Sequence, residues 1–139
     1  MRRVLAVAML VAAACRCDPV LADDRRDAIL AAFAAQAKAV DPSFAGFSAD
    51  RGKAFWFSDH TGGRPETGSC TVCHTKLVTA IGQTRAGKEI APMAVSKTPD
   101  RFTDPDKVAK WFLRNCQTVL GRECTPVEKG DIITFLAGQ

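Results

Sequence analysis

The chain has 139 residues and a formal net charge of +4, which fits one small domain and gives too little positive charge to suggest a nucleic-acid partner. Beyond its amino end, no stretch is apolar and long enough to cross a bilayer as a helix.

The amino end itself reads as a leader. Met1-Arg2-Arg3 is basic, residues 4–14 are an almost unbroken apolar run, and Val20-Leu21-Ala22 offers small residues for a signal peptidase. The apolar run is too short for a stable bilayer helix, and Arg16 and Asp18 prevent its extension. The pattern predicts a signal peptide over residues 1–22 and export to the periplasm. Acylation of Cys15 as a lipoprotein is the alternative, disfavoured because Ala12-Ala13-Ala14 lacks the usual leucine. Loss of Arg2, Arg3, Arg16 and Asp18 leaves the mature chain at about +2, so that any basic surface would rather steer an acidic partner than bind nucleic acid.

Residues 23–47 are expected to form an N-terminal helical extension, and residues 48–139 the main domain. Apolar periodicity predicts a helix over 24–40, with Ile29, Leu30, Phe33, Ala37 and Val40 on one face and Asp41-Pro42 ending it. Ser48 reads as the N-cap of a helix through Phe57. Residues 61–69 hold three glycines and a proline and are expected to loop. A short helix is predicted over 70–77, and residues 79–103 are mostly irregular. Asp104-Pro105 starts a helix running to about Cys116, and Thr125-Pro126 starts the last one. No strand is indicated. An all-α chain with loops this long needs something besides helix packing to hold it together.

Cys70-Thr71-Val72-Cys73-His74 supplies that element, because C-x-x-C-H is the pattern of c-type haem attachment. Residues three and four apart share a helix face. Two thiols can therefore reach the two vinyl groups at one porphyrin edge while the imidazole reaches the iron. One covalently attached haem c is predicted, with Cys70 and Cys73 as its anchors and His74 as proximal ligand. The second imidazole nitrogen needs an acceptor, for which the Pro92 carbonyl is the candidate. A thioredoxin-like pair would want a βαβ setting, and a zinc site a second close ligand pair, whereas Cys116 and Cys124 are eight apart. A non-haem disulfide or metal-binding domain is the competing class.

Asp50-Arg51-Gly52-Lys53-Ala54-Phe55-Trp56 resembles the first helix of class I cytochromes c, and the segment from Glu128 to Leu136 resembles their last. The stretches Thr61-Gly62-Gly63 through His74, Gly82 through Pro92, Trp111-Phe112-Leu113-Arg114-Asn115-Cys116 and Gly121 through Pro126 are similar to the sphaeroides haem protein (SHP) family. The resemblance implies a class I cytochrome c fold with an extra N-terminal helix around a haem-centred core. It also implies that an asparagine, here Asn115, binds the oxidised iron and leaves on reduction, so that a diatomic gas such as oxygen or nitric oxide can bind. A disulfide from Cys116 to Cys124 is implied beside that ligand. So are partners of two kinds, a di-haem cytochrome c and a membrane cytochrome b. The resemblance implies no settled reaction, so whether the protein is an enzyme is open.

From the residues alone, three side chains compete for the sixth position. Met93 would make an ordinary closed His/Met electron carrier, but it directly follows Pro92 in the stretch that lines the proximal side in class I cytochromes. His60 sits in the glycine-rich loop and reads better as a solvated side chain. Asn115 rests on the resemblance. Phe55, Phe102, Trp111 and Phe112 are expected to wall the haem pocket, and Arg85, Lys88 and Arg101 are candidates to pair with the propionates or to lie in solvent.

Overall fold

The computed structural model describes residues 19–139. The expected signal peptide, with Cys15 and Cys17, lies almost wholly outside the described residues. Five α-helices, one 3-10 turn (Pro65–Thr67) and a two-residue-per-strand hairpin make up the regular structure of the described residues.

Helix α1 (Pro19–Val40) begins at Pro19 rather than at Asp24. Ile29 and Ala37 are buried, with Leu30 and Phe33 packed against the core. Val40, expected on that face, is 82% exposed: the helix has run past the core by its last turn. The unexpected member of the buried face is Arg26, a charged side chain only 4% exposed.

Helix α2 (Ala49–Phe57) starts at Ser48, whose hydroxyl accepts from the Arg51 N–H at 3.2 Å. Helix α5 (Pro126–Ala137) starts with a reciprocal capping box between Thr125 and Glu128, and Arg122 donates to both carboxylate oxygens of Glu128. Burial raises the Glu128 pKa, but hydrogen bonds from Arg122 and the Thr125 backbone outweigh it and hold the carboxyl below its ordinary value. The two helices cross at bare backbone. A Cβ on Gly52 would stand 2.0 Å from the Asp131 carbonyl oxygen, so only glycine permits this approach. Beside the crossing, buried Asp131 accepts from the Ser48 N–H at 2.6 Å and from Arg51 Nε and Nη2 at 2.7 and 2.8 Å. The ion pair thus closes the same joint that the glycine opens.

Helix α3 (Thr71–His74) is a single turn, shorter than the 70–77 expected, because Thr75 turns to a φ of 61° and ends it. Helix α4 (Pro105–Leu120) runs four residues past Cys116 to a left-handed Gly121. The sequence indicated no strands, yet β1 (Gly82–Gln83) and β2 (Glu89–Ile90) pair antiparallel. Two residues per strand are too few to show a period. The long 79–103 segment is ordered by local bonds: the N–H groups of Met93 and Ala94 both donate to the Val78 carbonyl at 2.9 Å, and the Val95 N–H to that of Leu136 at 3.2 Å.

Gly52→Ala should therefore cost about 3 kcal/mol, the upper range for overpacking. The urea midpoint of the haem-loaded protein checks it, and an unchanged midpoint would contradict the backbone contact.

Candidate haem site

The single turn of α3 sets the site. The His74 and Cys73 N–H groups both donate to the Cys70 carbonyl, at 3.1 and 3.4 Å, so the three motif residues share one helical face. All three line a cavity of about 600 Å³, inside the ~300–1,000 Å³ range of cofactor pockets. Phe55, Phe102, Trp111 and Phe112 form apolar walls, as expected. Helix α4 contributes Trp111, Phe112, Asn115 and Cys116 to the lining.

Electrostatics separate a haem anchor from a thiol redox pair. Burial pushes the Cys70 thiol up to about 11, the reverse of the lowered value a reactive dithiol needs. Burial, aided by the charge of Arg101, pushes the His74 imidazole down to about 4. The ring is thus neutral at physiological pH, the form that binds a metal. His74 Nδ1 is buried with no hydrogen-bond partner in the chain. An imidazole with a spare buried nitrogen, two thiols on its face and an apolar cavity in front fit a covalently attached haem. Among the described residues, no cluster of three or more His, Cys, Asp or Glu side chains could hold a metal ion without it.

Comparison with known proteins agrees. Residues 42–136 match a family described as a domain of unknown function, DUF1924. The chain is 50% identical over 131 residues to the cytochrome c-type protein SHP of Cereibacter sphaeroides, spanning 94% of this chain and 97% of that one.

This chain belongs to the SHP family of c-type cytochromes.

Its fold matches the solved structure of oxidised SHP, an oxygen-binding cytochrome c, with a TM-score of 0.75 and 51% identity over 82% of this chain and 96% of the other. It also matches oxidised cytochrome c″ of Methylophilus methylotrophus, with a TM-score of 0.71 and 30% identity over 84% and 95%. A solution structure of that same protein, concerned with the structural basis of haem-ligand detachment, matches with a TM-score of 0.69 and 30% identity over 84% and 94%. As a member of this family, the SHP-type protein carries covalently attached haem c and has the helical cytochrome fold with an added N-terminal helix.

The remaining expectations sort by geometry. The Pro92 carbonyl does not accept from His74; Thr98 Oγ1 and Arg101 Nε already donate to it at 2.8 and 3.1 Å and fill its lone pairs. Among the propionate candidates, Lys88 and Arg101 line the cavity, while Arg85 is engaged by Glu66 at 2.5 Å. His60 does not line the cavity: its Nε2 lies 2.9 Å from the Phe55 carbonyl and its ring stacks on Phe55. Met93 and Asn115 both line it, Met93 buried in the core cluster and Asn115 exposed on α4. Cys116 and Cys124 come together with their sulfurs 2.03 Å apart.

Sequence reasoning missed Trp56, taken only as a helix-interior residue. Its ring centre lies 5.4 Å from that of His74 and its indole nitrogen is buried without a partner. The spacing Gly52–Trp56, one turn apart on the face that meets α5, was the available signal.

Removing both thiols by the double substitution Cys70→Ala and Cys73→Ala should leave haem extractable by acid acetone, whereas the wild type keeps it on the polypeptide. Retention of colour by the double variant would refute attachment at these residues.

Proposed function

We propose that this SHP-family cytochrome is a periplasmic electron-transfer protein. In this reading Cys70 and Cys73 hold the haem, and His74 and Asn115 are its axial ligands in the oxidised state. Asn115 departs on reduction, and a diatomic gas such as oxygen or nitric oxide then binds. The leader over residues 1–22 supports the location, and the likeness to an oxygen-binding cytochrome c supports the ligand class. A redox partner protein exchanges electrons with this cytochrome, a di-haem cytochrome c and a membrane cytochrome b being the proposed partners.

One observation carries the ligand choice. The Met93 N–H is bonded to the carbonyl of Val78, four residues after His74, and the neighbouring Pro92 carbonyl is held by Arg101, whose charge acts on His74. These bonds support reading Met93 as part of the His74 side of the cavity. Asn115 comes from α4, which lines the cavity without packing extensively on α3. A sixth ligand to a haem held by His74 would come from the other wall, which favours Asn115 over Met93.

Bound haem supplies a one-electron iron couple and a sixth coordination position. Everything else is done by the chain. The Asn115 amide oxygen is a neutral, hard donor, and hard donors suit the more highly charged metal. It would hold the oxidised site more firmly than the reduced one and so be released when an electron arrives. A thioether would do the opposite, favouring the reduced state. The cysteine pair next door restrains the helix: a bond between Cys116 and Cys124, eight residues apart, is worth roughly 2.5 kcal/mol in the chain-entropy view. Asn115 thus sits on a backbone fixed one residue away, which lets its side chain leave and return to the same place. Trp111 and Phe112, one turn earlier on α4, keep the surroundings apolar.

Asn115→Val should turn the oxidised protein from low-spin to high-spin and leave the reduced absorption spectrum, with and without carbon monoxide, nearly unchanged. An oxidised variant that stays low-spin, with a sulfur-to-iron charge-transfer band, would assign the position to Met93 and make the protein a closed electron carrier.

A further inference from the structure

The N-terminal helix buries an arginine that its packing role does not require. Arg26 on α1 is 4% exposed, and its guanidinium spreads three ways. Nη2 donates to the Pro99 carbonyl at 2.8 Å, Nε to the Arg101 carbonyl at 3.2 Å, and Nη1 to the carboxylate of Asp23 at 2.5 Å. A buried guanidinium is costly unless its donors are used, and here two of them are spent on a segment some seventy residues away in sequence.

That segment borders the haem cavity. Between the two carbonyls the chain turns tightly, the Arg101 N–H donating to the Thr98 carbonyl at 3.0 Å. The next residue, Phe102, is a cavity wall and adopts a φ of 61°. A bulky side chain in the left-handed region is a genuine outlier, and such conformations persist only where the surroundings over-determine them. The Arg101 side chain leaves this turn toward the cavity and donates to the Pro92 and Ala91 carbonyls. Arg26 holds the turn from behind while Arg101 and Phe102 line the cavity in front.

We propose that Arg26 is a positioning residue of the haem site, setting the reduction potential by holding the Arg101 guanidinium and the Phe102 ring at the cavity. A fixed positive charge on the cavity wall would disfavour the more highly charged oxidised state of a haem bound there, so displacement of Arg101 would lower the potential. Arg26 acts through Arg101, and the forked guanidinium is needed because lysine cannot span both carbonyls in a fixed geometry. The inference rests on haem being attached in this cavity, which the covalent haem content of the wild type tests separately, and it is independent of which residue takes the sixth position.

The experiment is a spectroelectrochemical titration of the haem-loaded wild type, R26Q, R26K, R101Q and the double variant R26Q/R101Q, with thermal melts alongside. R26Q is expected to make reduction about threefold less favourable, ~28 mV at 59 mV per decade for one electron. The double variant should match R101Q alone. R26K keeps the charge and should still shift in the same direction, which also covers the case in which R26Q does not fold. A lower melting temperature with an unchanged potential would make Arg26 merely structural and overturn the proposal. So would a wild-type potential in R26K, or an R26Q shift that persists in full when Arg101 is absent.

Discussion

Two thiols and one imidazole that hold a single rigid macrocycle have to leave the backbone from one face of one helical turn, and Cys70, Cys73 and His74 do so. Helix α3 is that turn and little more. Its brevity is made safe by its neighbours. The loop beyond it returns in the β1–β2 hairpin, where a Cβ on Gly82 would stand 2.3 Å from the Cys73 carbonyl oxygen. The Val78 carbonyl gathers the N–H groups of Met93 and Ala94. On the other side, α2 and α5 cross at Gly52 and carry Trp56 to the edge of His74. The protein core and the haem cavity are therefore one packed object, with Met93, Phe112, Cys116, Cys124 and Ile132 belonging to both.

Helix α4 closes this object differently. Its backbone does not approach another helix closely, and it joins the core through the side chains of Val108, Phe112 and Cys116. Its apolar side faces the cavity, and Phe112 meets Phe33 of α1 edge-on. The carboxyl end is clamped instead by backbone. The Arg64 N–H and the Thr67 hydroxyl both donate to the Thr118 carbonyl, at 2.8 and 3.3 Å, and Gly63 has no room for a Cβ against it. A helix held at its end and open along its side is a suitable carrier for a weak ligand. If Asn115 is the ligand proposed above, the backbone would stay in register while that one amide changed partners, and the energetic difference between the two states would be confined to a single bond.

Much of this was legible in the residues. Ser48, Asp104-Pro105 and Thr125-Pro126 marked three helix starts because capping is local chemistry, written within four residues. The C-x-x-C-H motif marked the cofactor because its geometry is also local. What stayed hidden depends on distant partners. Nothing near Arg26 announces that the carbonyls of Pro99 and Arg101 will meet it. Val40 looked buried by period, yet the core ends before it. The Pro92 carbonyl was a reasonable acceptor for His74 until Thr98 and Arg101 claimed it, and both reach it by the folding of an aperiodic segment. The far end of α4 was placed four residues early, at Cys116, whereas the helix runs on to Leu120 and stops at left-handed Gly121.

The central claim is that reduction frees one axial position by releasing an amide. Resonance Raman spectroscopy of the ferrous wild-type protein reads this directly, since an iron–imidazole stretch is seen only for a five-coordinate, high-spin ferrous haem. The account predicts that this band is present without added ligand and disappears under carbon monoxide. A ferrous spectrum with only six-coordinate, low-spin marker bands, unaltered by the gas, would contradict it.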